Sequence, residues 1–91
     1  MGTITENMIF SSETINTVWY KGHVARGYNP EYVRSDRYGS LMERKEYGNR
    51  KSKYGWEIDH IIPLSVGGLN TMSNIQPLQW ENNAAKSDKT R

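Results

Sequence analysis

Four polar residues stand in an order that suits joint chemistry: Asp59, His60, Asn74 and Asn83. Asp59 and His60 are neighbours inside "WEIDHIIPL", between Ile58 and the pair Ile61-Ile62. Apolar flanks of this kind belong to a strand at the edge of a core, so a carboxylate and an imidazole there need a reason. Asp59 and Asn83 both offer oxygen. Hard oxygen donors with room for waters favour Mg2+ or Mn2+ over zinc. His60, with an unperturbed pKa of about 6.5, is mostly neutral at pH 7 and can take a proton from water without itself binding a metal. Each residue also has an ordinary use. A lone Asp-His pair more often closes a strand end, Asn74 suits a turn, Asn83 an exposed helix face, and Gly67-Gly68 alone means only a turn.

The elements that must position these groups follow from local pattern. Trp56, Ile58 and the Ile61 region predict a strand that Pro63 ends. Along it, Glu57 and Asp59 share one face, Ile58 and His60 the other. Glu57 is expected to be a solvent-facing or structural carboxylate rather than a third ligand. "SVGGLNTMSN" predicts a glycine turn, "NIQPLQ" a short second strand, and "WENNAAKSDK" a C-terminal helix free of Gly and Pro. Upstream, Ser11 or Ser12 can cap a helix over "SETINTVWYKG", with Ile15, Val18 and Trp19 at helical spacing. "ARGYNPEY" reads as a loop, and "YVRSDRYGSLME" as two extended pieces around a turn near Asp36–Gly39. "YGNRKSKYG" is a basic surface loop, and residues 1–10 show no periodicity. The expected class is α+β: one small domain over 1–91, with a helical and irregular extension (1–54) before a hairpin-plus-helix core (55–91).

Composition narrows the chemistry. In 91 residues without a cysteine, neither disulfides nor a thiolate zinc knuckle can staple the fold. Any metal is left to His, Asp, Glu, Asn or backbone oxygens. Mean hydropathy is −0.84 and only 35% of residues are hydrophobic. Three Trp and six Tyr must therefore supply much of the core, at roughly 150–250 Å² of burial per ring. No apolar run approaches the ~20 residues of a membrane span. "MGTITENMIF" lacks the basic start and apolar centre of a signal peptide, so a cytoplasmic protein is expected. The net charge of +2 says little, but its distribution says more. Arg44, Lys45, Arg50, Lys51 and Lys53 face only Glu46, and Lys86, Lys89 and Arg91 face only Asp88. Both basic runs flank the Asp-His stretch. Solvated surface charge is the ordinary reading, nucleic acid the functional one.

"EIDHIIPLSVGGLNTMSNIQPLQWENNAAKSD" resembles the HNH endonucleases, whose shared unit is the ββα-metal fold. The features that carry the resemblance are Asp59-His60, Gly67-Gly68, Asn74 in "NIQPL" and Asn83 in "NAAK". It covers residues 56–89, and less specifically the segment before them. It implies hydrolysis of DNA phosphodiesters to 5′-phosphate and 3′-hydroxyl ends. Asp59 and Asn83 would hold one divalent ion, Mg2+ or alternatively Mn2+. His60 would be the general base, and Asn74 would hold the loop and orient that base. Arg50, Lys51, Lys53 and Lys86 would contact single- or double-stranded DNA. Asn82 rivals Asn83 for the metal, about 100° around the helix from it; the spacing to Lys86 selects Asn83. Two departures stand out. The third motif letter is Asn rather than His, and Gln79 and Asn82 stand where one cysteine pair of many relatives lies. A non-catalytic nucleic-acid-binding module, and a nuclease for RNA or structured DNA, are the alternatives. Neither a dimer nor a protein partner can be read from the sequence.

Overall fold

The structure is a computed structural model, and it describes residues 9–89. Most of the aperiodic first ten residues therefore lie outside it. The first helix, α1, spans Ser12–Trp19, and Ser11 caps it by accepting a hydrogen bond from Thr14 N at 3.1 Å. A capping hydroxyl satisfies one of the free N–H groups of the first turn. Val18 and Trp19 are fully buried from this helix. Three short strands follow: β1 (His23–Val24), β2 (Val33–Ser35) and β3 (Leu41–Glu43), antiparallel in that order. A 3-10 turn (Arg44–Glu46) and the basic loop then lead to β4 (Trp56–His60). β4 pairs antiparallel with β5 (Ile75–Gln79), with Ile58 opposite Pro77 and His60 opposite Ile75. The second helix, α2 (Trp80–Lys89), follows β5 without a loop. The fold is α+β, and its C-terminal part is the strand–loop–strand–helix unit that the pattern predicts.

The core is aromatic, as the low aliphatic content requires. Trp19 and Trp56 lie 5.2 Å apart between ring centroids, and Tyr47 meets Trp56 edge-on at 4.9 Å. Val18, Met42, Ile58 and Ile75 complete the cluster. Each indole finds a carbonyl: Trp19 Nε1 donates to Pro30 O, and Trp56 Nε1 to Arg44 O. One core wall is polar. Asp36 is 1% exposed. Its Oδ1 accepts from Tyr38 N and Ser40 N, both at 3.0 Å, and so shapes the β2–β3 turn. Its Oδ2 accepts from Gln79 N at 3.0 Å and from Asn82 Nδ2 at 2.8 Å. One carboxylate thus ties the hairpin turn to the start of α2. Gln79 Oε1 caps that helix, accepting from Glu81 N and Asn82 N.

The structure departs from the sequence pattern in two places. The strand expected to reach the Ile61 region stops at His60, and Ile61 and Ile62 are 40% and 55% exposed. The cause is Asn74. After Ile61 N has bonded Asn74 O, the Asn74 side chain takes over the ladder and accepts from Ile62 N at 2.9 Å. The strand β1 lies between the expected helix and the expected loop, and its two exposed residues give no period to reveal it.

Candidate active site

Alternation along β4 sets out the site. Glu57 and Asp59 face α2; Ile58 and His60 turn to the other side and are buried. On α2, Asn83 and Lys86 lie three residues apart and so share a face. The two elements meet in two rungs. Asn83 Nδ2 donates to Glu57 Oε1 at 2.8 Å, and Lys86 Nζ to Asp59 Oδ2 at 2.7 Å. Glu57 also takes a bidentate pair from Arg50, at 2.6 and 2.8 Å. Burial pushes the Glu57 carboxyl upward, but the Arg50 and Asn83 hydrogen bonds and the Arg50 charge hold it below its ordinary 4.5. Arg50 is raised in turn, first by its hydrogen bond to Glu57. Its guanidinium also lies 5.7 Å from the Trp80 ring centroid.

Asn82 and Asn83 are separated by this geometry. Asn82 points the other way, to Asp36 and to Ser40 Oγ at 3.0 Å. Asn83 lies on the face of α2 that meets β4. Gln76 Nε2 also reaches Asp59 Oδ2, at 2.9 Å. Asp59 Oδ1 and Asn83 Oδ1 accept no hydrogen bond from the described residues. Hard oxygens without a protein partner suit Mg2+, which takes few protein ligands and keeps several waters. No group of three His, Cys, Asp or Glu converges among the described residues. A fully protein-liganded zinc cage is therefore the poorer fit.

The expected phosphate contacts divide. Lys86 Nζ donates to Asp59 Oδ2, to His60 O at 2.6 Å and to Ile61 O at 3.1 Å. An ammonium has three donors, so all are used in pinning the end of β4 to α2. Arg50 is spent on Glu57. Lys51 and Lys53 are exposed and make no salt bridge among the described residues.

His60 is 3% exposed and lies 6.2 Å from the Phe10 ring, centroid to centroid. Its Nε2 is 3.0 Å from Asn70 Oδ1. An amide oxygen only accepts, so Nε2 carries the proton, and neutral His60 keeps its lone pair on Nδ1. Nδ1 is buried and has no partner. Asn74 makes no hydrogen bond to His60. Instead it holds the loop, donating to Ile62 O at 3.0 Å and to Leu69 O at 2.7 Å. Asn70 is the residue that sequence reasoning missed, and nothing marks it but its place after the glycine pair. Gly67 turns the loop with φ of 97°, and a Cβ on Gly68 would stand 1.7 Å from Ile62 O.

No curated protein and no solved structure matches the chain. A family model does: that of the HNH endonuclease, over residues 45–89. That stretch holds the basic loop, β4, the Asn74 loop, β5 and α2, and the match identifies it as an HNH endonuclease domain.

Proposed function

We propose that this protein is a metal-dependent endonuclease that hydrolyses DNA phosphodiester bonds, with His60 as general base and Asp59 and Asn83 as metal ligands. The observation that carries the reading is the His60 ring. Its Nε2–H is committed to Asn70, and its Nδ1 lone pair has no partner. A buried unpaired acceptor is costly, and a ring locked in this tautomer offers Nδ1 for a proton. Asp59 Oδ1 and Asn83 Oδ1 supply the two hard oxygens. A Mg2+ or Mn2+ ion there supplies positive charge for the phosphate oxygens and the leaving group.

The remaining roles belong to the chain itself. Lys86 fixes Asp59 and the end of β4. Asn74 holds the loop whose Asn70 orients His60. Exposed Lys51 and Lys53 offer charge to the DNA backbone. Because Nδ1 is buried, water reaches it only when the groups around it give way. That same burial favours a second reading, a module that binds nucleic acid without cutting it.

Plasmid cleavage titrated with Mg2+ tests the ligand assignment. Asn83→Ala should shift the metal midpoint upward at least about tenfold or abolish cleavage. Asn82→Ala, which loses hydrogen bonds to the hairpin, should keep the wild-type midpoint. An unchanged midpoint in Asn83→Ala would reject Asn83 as a ligand.

A further inference from the structure

One exposed aromatic ring stands beside α2 and has no part in the chemistry above. Tyr38 is 60% exposed at the tip of the β2–β3 turn. A Tyr with that much surface in water contributes little to a core. Its position is nevertheless fixed, because Asp36 Oδ1 accepts its backbone N–H while Asp36 Oδ2 holds Gln79 and Asn82 at the start of α2. Arg37 lies over the ring, 5.5 Å from its centroid. Between Tyr38 and the helix is a cleft of about 250 Å³, lined by Tyr38, Asn82, Ala85 and Lys86. The three helix residues form one stripe by their spacing, and Ala85 leaves it open. This volume is below the roughly 300–1,000 Å³ of an ordinary ligand pocket. It suits one planar ring rather than a whole cofactor. Asn82 and Lys86 are the immediate sequence neighbour and the next-turn neighbour of Asn83.

We infer that Tyr38 is a stacking platform for one unpaired nucleobase, with Arg37 as its cationic partner. The nucleic acid this site takes is therefore single-stranded or locally unpaired next to the scissile phosphate. The inference rests on the nucleic-acid substrate proposed above and specifies its class. An aromatic face accepts any base, and an adjacent guanidinium adds attraction for the base and for the strand. A paired base inside a duplex presents no free face to it.

The test is binding, read apart from cleavage. Fluorescence anisotropy of the full chain in chelator, at one fixed salt concentration, compares a short labelled single strand with the same sequence as a duplex. Tyr38→Ala should weaken single-strand binding at least about fivefold, the lower end for loss of one stacked base. Tyr38→Phe should keep it, and duplex affinity should change by less than about twofold. Three results would each overturn the platform: no single-strand binding by wild type, no loss in Tyr38→Ala, or equal loss on strand and duplex. A Tyr38-dependent single-strand preference in a protein that never cuts would reject the nuclease reading and keep the platform. Cleavage with no Tyr38 effect on binding would reject the platform alone.

Discussion

Substitution of Asp36 by Ala should uncouple the β2–β3 turn from α2. Four hydrogen bonds end on this carboxylate. The two from Tyr38 N and Ser40 N sit at a turn that water can reach, because Tyr38 and its neighbours are exposed. The other two are different. Gln79 is 4% exposed, and Asn82 Nδ2 is held between Asp36 and Ser40. Each buried donor left without a partner costs about 1–3 kcal/mol, so the pair should cost about 2–6 kcal/mol. A chain of this length has roughly 5–14 kcal/mol in all. The loss should lower the urea midpoint by about 1–3 M at an ordinary slope. Asp36→Asn cannot rescue it, since either orientation of the amide turns an NH2 toward two donors. Urea unfolding followed by Trp fluorescence is the assay. A loss below about 1 kcal/mol in Asp36→Ala, or a wild-type midpoint in Asp36→Asn, would refute the argument.

Two further outcomes are expected. Gly68→Ala drives a Cβ into Ile62 O, so it should displace the loop that carries Asn70 and cut activity more than tenfold, read as initial cleavage rate against a melting curve; a wild-type rate would show that the loop does not position His60. Tyr47 is half-buried, and burial first, then the Glu57 charge, pushes its phenol above the ordinary 10.0. Its neutral form is the one that the folded state favours, so this stability is complete below about pH 10 and is lost as pH rises through the raised value. Tyr47→Phe should flatten the alkaline fall of the urea midpoint above about pH 10, the ordinary phenol value, and an equally steep fall in that variant would contradict the assignment.

Much of the C-terminal unit is legible because its signals are local. Alternation separates Glu57 and Asp59 from Ile58 and His60, Gly67-Gly68 marks the turn, and the run after Gln79 lacks breakers. The Ser11 cap is legible for the same reason. What escapes is carried by partners far along the chain. Asp36 reads as a turn residue because Oδ1 bonds two and four residues ahead, while Oδ2 bonds 43 and 46 residues away. The Gln79 backbone N–H and the Asn82 side chain both end on that same carboxylate. Lys86 and Arg50 read as cations free to meet phosphate, and their carboxylate partners on β4 come into reach only when α2 and the basic loop close over the strand. Ile61 and Ile62 mislead, because apolar type continues past the point where the Asn74 side chain ends the ladder.

The central claim is that His60 activates water at a divalent metal site. Its most direct test incubates wild type and His60→Ala with supercoiled plasmid in Mg2+, in Mn2+ and in chelator, after circular dichroism has shown both proteins folded. Wild type should convert the plasmid to nicked or linear forms only with metal, and His60→Ala should be slower by at least about a hundredfold. Cleavage by folded His60→Ala at the wild-type rate, or wild-type cleavage that persists in chelator, would contradict the account.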